Sequence, residues 1–153
     1  MTAMDVMAAC RRACQNTARL ESMIDDLDDC ATGVGGTGGG TGGSGGAGDR
    51  MAAYMARKDE LLRRLNKERR WLAACRQAVI LLTSALPALP RTCMRAFYCY
   101  GKSAPHIARD EHYSDSSVYK ALAAGRAAMA LIPAAEVENA LPACYRREME
   151  DLC

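Results

Sequence analysis

Apolar residues recur along the first part of the chain at alternating spacings of four and three. The series is Val6, Cys10, Ala13, Thr17, Leu20, Ile24 and Leu27. Residues 49–86 contain no glycine or proline, and they continue this spacing at Met51, Met55, Leu62, Leu65, Leu72, Val79, Leu82 and Leu86, with Lys58 and Arg69 as interruptions. Each repeat places an apolar seam along a helix, and each seam needs an apolar partner. We therefore predict an antiparallel, coiled-coil-like helical hairpin over residues 3–86.

Glycine dominates residues 33–48, and the rest of this segment is Val, Thr, Ser and Ala. This composition is typical of a flexible linker. A phosphate-binding loop is the alternative, but no Lys-Ser or Lys-Thr pair follows the glycines. The linker lets the first helix fold onto the N-terminal half of the second. The C-terminal half, with Trp71, then needs another partner, which is the following domain, the tail or a second copy of the chain.

Residues 89–132 follow a different pattern of helix starts and ends. Gly101 closes one predicted helix. Ser103 can cap a short second helix, with Pro105 in its first turn, where the missing N–H has little effect. Ser114 can cap a third helix. Short helices joined by a tight turn in this order are typical of a helix-turn-helix domain, whose second helix commonly lies in the DNA major groove.

The apolar positions of this segment support the same interpretation. The residues predicted to face inward are Ile107, Ala108, Tyr113, Val118 and Leu122. Val118 and Leu122 lie four residues apart, as an inward helical stripe requires.

The remaining residues, 133–153, form a predicted helical tail. Pro133 and Pro142 punctuate it, and its apolar residues at helical spacing are Val137, Leu141, Tyr145, Met149 and Leu152. The whole chain is rich in alanine and only 5% aromatic, a mixture that suits helix-on-helix packing. The predicted fold class is all-α: a helical hairpin, a three-helix helix-turn-helix domain and a helical tail.

The order Ile-Ala-x-x-x-x-Tyr-Ser-x-x-x-Val, from Ile107 to Val118, resembles region 4 of sigma-70-type factors and of small phage regulators that carry such a domain. The likeness covers about residues 91–131. Asp49-Arg50-Met51 also fits a phage-encoded family that places a helical hairpin before this domain. The resemblance implies a DNA-contacting transcription regulator in the cytoplasm of a bacterial host, with RNA polymerase or another protein as a further partner.

Two departures from the family pattern bear on affinity. His112 stands at the turn position where the family commonly has glycine, so the resemblance implies a left-handed backbone there, which histidine tolerates less well than glycine. Asp115, Ser116 and Ser117 stand where basic residues are usual. Because phosphate attraction supplies most non-specific DNA affinity, we expect weak binding to double-stranded DNA by the isolated chain.

Exposed polar residues around the third helix are the candidate DNA contacts. Those expected to reach base edges are Ser116, Ser117, Tyr119 and Lys120. Those expected to reach phosphates are Lys102, Arg109 and Arg126. The alternative is a protein-binding inhibitor or adaptor that reuses the same fold. A continuous basic face joined to Arg91 and Arg95 would favour DNA, and a mixed face would favour protein.

Other function classes have little support in the sequence. The eight cysteines include no CxxC pair, and no histidine completes a zinc set, so we expect reduced thiols without a metal or cofactor. We expect no enzymatic activity, because the fold already accounts for His106 and His112. The chain has no signal-peptide pattern and no run of the ~20 apolar residues that a membrane span needs.

Overall fold

The computed structural model describes the backbone of residues 1–33 and 47–150, and the side chains of residues 1–31 and 48–147. Every regular element in these ranges is an α-helix, which confirms the all-α prediction. The helices are α1 (Ala3–Gly33), α2 (Ala47–Leu82), α3 (Ala88–Cys99), α4 (Ala104–Asp110), α5 (Asp115–Met129), α6 (Ala134–Ala140) and α7 (Ala143–Glu150). Most of the predicted linker, residues 34–46, lies outside the described residues, as do residues 151–153 of the predicted tail.

The chain divides into two compact units. Unit one comprises residues 1–15 and 69–153, and unit two comprises residues 16–68. Helices α1 and α2 each contribute one part to each unit. Unit one contains residues from all three segments predicted as domains, 3–86, 89–132 and 133–153; that each segment folds by itself stays a prediction.

The seam predicted on α1 is buried along most of its length. Its buried members are Val6, Cys10, Ala13, Thr17, Leu20 and Ile24. In unit two, Leu20 and Ile24 pack against Leu61 and Leu65 of α2 to form a small apolar core. The alternating spacing therefore placed the inward face of α1 correctly.

The seam predicted on the N-terminal half of α2 is right at Leu65, which is buried, but wrong at its other apolar positions. Met51, Met55 and Leu62 are 59%, 49% and 38% exposed, whereas Leu61 is only 3% exposed. Leu61 and Leu62 are adjacent, so the spacing alone gives no basis for choosing between them. In the folded unit, Leu61 is the one that packs against Leu20 and Ile24.

Asp28 on α1 accepts hydrogen bonds from Tyr54 and Lys58 on α2, each at 2.7 Å. Tyr54, Lys58 and Leu61 follow one another at helical spacing, so these bonds lie on the same face of α2 as Leu61. Both hydrogen bonds lower the pKa of Asp28 below its ordinary value, and the bond from Lys58 has the larger effect. Lys58, one of the two charged residues that interrupt the predicted seam, is thus paired with Asp28 within unit two.

The core of unit one combines the start of α1 with the C-terminal part of α2 and with α3 to α6. Trp71 of α2 lies with its ring centroid 5.3 Å from that of Tyr145 in the tail. Val137 and Leu141, also in the tail, are buried. The tail, which is one of the partners predicted for the C-terminal half of α2, thus contacts Trp71.

Helices α3, α4 and α5 contact one another within unit one. Ile107, Val118 and Leu122 are buried at their centre, as predicted. Met94 of α3 lies so close to Gly125 of α5 that a Cβ atom at position 125 would be 2.5 Å from Met94 Cγ. This close approach fixes the face of α5 that is turned inward, and hence the face that is turned to solvent.

Candidate nucleic-acid interface

The two N-caps of this region differ. The Ser114 hydroxyl accepts a hydrogen bond from the Ser117 N–H at 3.2 Å, which confirms the predicted cap of α5. Ser103 stands at the N-cap of α4, but its side chain makes no cap hydrogen bond, so that prediction is wrong. An N-cap oxygen normally accepts from the second or third helical residue, and Pro105, the second residue here, has no N–H to offer.

The turn between α4 and α5 is held by a left-handed residue and a backbone hydrogen bond. His112 has φ 57°, as its place in the turn predicts. The Tyr113 N–H donates to the Ala108 carbonyl at 2.9 Å. The predicted burial of Tyr113 is wrong, since its side chain is 48% exposed. Ile107 and Val118, on either side of the turn, are fully buried.

Helix α5 buries one face and exposes the other. The buried positions are Val118, Ala121, Leu122, Gly125 and Met129. The predicted base contacts Ser116 and Lys120 are exposed, and Tyr119 is 57% exposed. Ser117 is half-buried, and its hydroxyl oxygen lies 2.8 Å from that of Ser114. Of the four predicted base contacts, Ser117 is therefore engaged in the helix cap, and the other three lie in solvent.

The predicted phosphate contacts have different surroundings. Arg109 is exposed in the last turn of α4. Lys102 donates to Asp110 at 2.5 Å. This bond lowers the pKa of Asp110 and raises that of Lys102, and His106 Nε2 lies 3.6 Å from the same carboxylate. The charge of Lys102 is therefore offset by its ion pair with Asp110.

Arg126 is oriented by aromatic residues of α3. Its Nε donates to the Tyr98 hydroxyl at 3.0 Å, and its guanidinium carbon lies 5.4 Å from the centroid of the Phe97 ring. Arg126 is nevertheless exposed. Its guanidinium is therefore held in one place with solvent on one side, an arrangement suited to a phosphate contact.

Arg11 of α1 supports this region, although nothing in the local sequence pattern singles it out. Its guanidinium carbon lies 3.7 Å from the centroid of the Phe97 ring, and its Nη1 donates to the carbonyls of Phe97 and Lys102 at 2.5 and 3.4 Å. Arg11 thus ties the end of α3 and the following turn to α1. The residues are separated by 86 and 91 positions, so no local pattern could have indicated the contact.

The surface charge around α5 is mixed. Arg91 donates to the Ser84 carbonyl, and Arg95 donates to the Thr83 hydroxyl and the Ile80 carbonyl, so both are directed toward the end of α2. Exposed acidic residues near the turn are Asp110, Glu111 and Asp115. The continuous basic face that would join α5 to Arg91 and Arg95 is therefore not formed.

Two other features, a metal site and a membrane-spanning helix, are absent from the residues that the structure describes. Within residues whose structure is described, no three or more His, Cys, Asp and Glu side chains are grouped to hold a metal ion. No helix in the described ranges combines the length and apolar character needed to cross a membrane. No protein-family model, curated protein or solved structure matches the chain.

Proposed function

We propose that this chain is a phage-type DNA-binding transcription regulator in the cytoplasm of a bacterial host. It uses α4, the turn at His112 and α5 as a helix-turn-helix that resembles region 4 of sigma-70-type factors. The observation that carries the proposal is the division of α5 into a buried face and an exposed one that bears Ser116, Tyr119 and Lys120. A helix supported in this way can enter a major groove, which is about 12 Å wide.

In the proposed complex, Lys120 and Ser116 reach base edges. Lysine can donate to guanine and serine can serve several bases. Tyr119 contacts the sugar or a thymine methyl group, and Arg109 and Arg126 contact phosphates on either side. Arg126 loses little side-chain freedom on binding because Tyr98 already holds it.

The acidic residues near the turn make this a weak binder when it acts alone. We propose that a second copy of the chain or RNA polymerase supplies the missing affinity, since two linked contacts bind more tightly than one. In the same proposal, residues 3–86 act as the helical hairpin that precedes the helix-turn-helix domain, and residues 133–153 act as its helical tail.

Binding to random duplex DNA across a salt series tests the proposal. We expect affinity to fall steeply with salt, and the variant Lys120→Gln, Arg126→Gln to show a shallower dependence, by about 0.9 in the log–log slope for each lost phosphate contact. The control Arg50→Gln, Arg63→Gln removes the same charge from exposed positions on α2. Absence of binding at low salt, or equal slopes for the α5 variant and wild type, would refute DNA binding by α5.

The alternative function is a protein-binding inhibitor or adaptor. The mixed surface charge around α5 favours it, because a continuous basic face was the feature expected for DNA binding. The exposed Tyr113 and Tyr119 also favour it, since tyrosine is enriched at protein interfaces, and so does the pairing of Lys102 with Asp110. It predicts that purified bacterial RNA polymerase binds the wild-type chain and that Tyr119→Ala weakens this complex. The same substitution would then leave any binding to DNA unchanged.

A further inference from the structure

Unit two contains a cleft of about 440 Å³ between its parts of α1 and α2. Leu20 and Met23 form its apolar floor. Three cationic side chains stand around it: Arg19 from α1, and Arg64 and Lys67 from α2. We call this feature the basic cleft. Its volume lies within the roughly 300–1,000 Å³ typical of small-ligand sites.

The basic cleft has a surplus of positive charge. Glu68 is the acidic residue of its lining, and this carboxylate accepts a hydrogen bond from the Asn16 amide at 3.1 Å. The lining thus holds two arginines and a lysine but one carboxylate. An excess of this kind in a concave surface concentrates positive potential and attracts anions.

Two cations of α2 outside the basic cleft form ion pairs with acidic residues. Arg63 lies 3.0 Å from Glu60, and Lys58 lies 2.7 Å from Asp28. Arg19 and Arg64 are exposed, and neither forms an ion pair with any of the residues that the structure describes. They line the cleft from different helices, Arg19 from α1 and Arg64 from α2.

We propose that the basic cleft binds phosphate groups, either those of a nucleic-acid backbone or those of a free polyphosphate. The planar guanidinium forks of Arg19 and Arg64 match phosphate oxygens in pairs, and Lys67 adds a compact positive charge. Glu68 holds Asn16 in place at the wall of the cleft. This site goes beyond the proposed function, since it does not depend on α5.

The test uses the full chain and the variant Arg19→Gln, Arg64→Gln. Calorimetric titration with tripolyphosphate at constant ionic strength should show binding to wild type that the variant weakens by about tenfold or more. In a salt series with duplex DNA, the variant should lower the log–log slope by about 0.9 for each lost phosphate contact. The matched control is again Arg50→Gln, Arg63→Gln, which removes the same charge from α2 outside the cleft.

Loss of both binding activities in the cleft variant, with neither lost in the control, would support the proposal for both sources of phosphate. Loss of tripolyphosphate binding alone would assign the site to free polyphosphate, and loss of DNA binding alone would assign it to the backbone. Equal behaviour of the cleft variant and control, or no binding of either probe by wild type, would overturn it. The Lys120→Gln, Arg126→Gln variant separates this result from the proposed role of α5.

Discussion

At the scale of single residues, His112 has a backbone conformation that its side chain disfavours. Its φ is 57°, a value natural to glycine. We expect His112→Gly to raise the free energy of unfolding by about 0.5–1 kcal/mol. The left-handed conformation costs an L-residue about 1–2 kcal/mol, and part of this gain is offset by the greater freedom of glycine in the unfolded chain. Urea unfolding followed by circular dichroism measures the change.

The control for His112 is the other histidine, His106, which is exposed within α4. His106→Gly should lower stability by several tenths to about 1 kcal/mol, as expected for glycine inside a helix. Equal destabilisation by both substitutions would contradict the left-handed turn at His112.

Gly125 is the residue that allows α5 to approach α3. A Cβ atom there would be 2.5 Å from Cγ and 2.8 Å from Sδ of Met94, which is fully buried. We expect Gly125→Ala to lower the free energy of unfolding by about 1–3 kcal/mol through overpacking, despite the higher helix propensity of alanine. In a Met94→Ala background the same substitution should be nearly neutral or stabilising. A double-mutant cycle with no coupling between the two positions would show that they do not pack together.

At the scale of helices, the two serine N-caps provide a matched comparison. Ser114→Ala removes the hydrogen bond from the Ser117 N–H and should lower the free energy of unfolding by about 1 kcal/mol. Ser103→Ala should have a much smaller effect, because the Ser103 side chain makes no cap bond. Thermal or urea unfolding of both variants tests the difference. Similar losses of stability for the two serines would show that the hydrogen bond at the Ser114 cap does not stabilise α5.

For helix α2, the sequence pattern predicts the extent of the helix but not which face is buried. Its existence and approximate ends followed from the absence of glycine and proline over residues 49–86. Its inward face in unit two did not, because Leu61 and Leu62 are adjacent and both fit an apolar stripe. Leu61 packs against α1, and the bonds from Tyr54 and Lys58 to Asp28 lie on the same face, between residues 26 and 30 positions apart.

At the scale of the whole molecule, burial of the thiols reports on the core of unit one. Cys10, Cys75, Cys93 and Cys99 are buried, whereas Cys30 and Cys144 are exposed. Burial raises the pKa of Cys93. The hydrogen bond between Cys10 and Cys99 raises the pKa of Cys10 and lowers that of Cys99. Burial of Cys99 restricts its access to a reagent.

We expect a short pulse of N-ethylmaleimide on the native protein to label Cys30 and Cys144 and to leave the four buried cysteines unmodified. Peptide mass spectrometry identifies the labelled positions, and the same pulse in denaturant provides the reference for full labelling. Rapid labelling of Cys10 or Cys75 in the native protein would contradict the packing of the start of α1 and the C-terminal part of α2 in the core of unit one.

The sequence by itself determined the properties that depend on neighbours along the chain. The all-α class, the inward face of α1, the cap at Ser114 and the left-handed turn at His112 all follow from spacing or from the local chemistry of one residue. The failed cap at Ser103 was also open to local reasoning, since Pro105 removes a donor that an N-cap oxygen commonly uses.

Only the tertiary structure decided properties that depend on distant residues. Exposure of Tyr113 follows from how α4 and α5 fill their shared core, and the position of Arg126 follows from Tyr98, 28 residues away. The support from Arg11 and the pairing of Lys102 with Asp110 likewise arise when the chain is folded. Periodicity predicts which side of a helix seeks a partner, whereas the partner itself depends on packing between elements that sequence spacing does not encode.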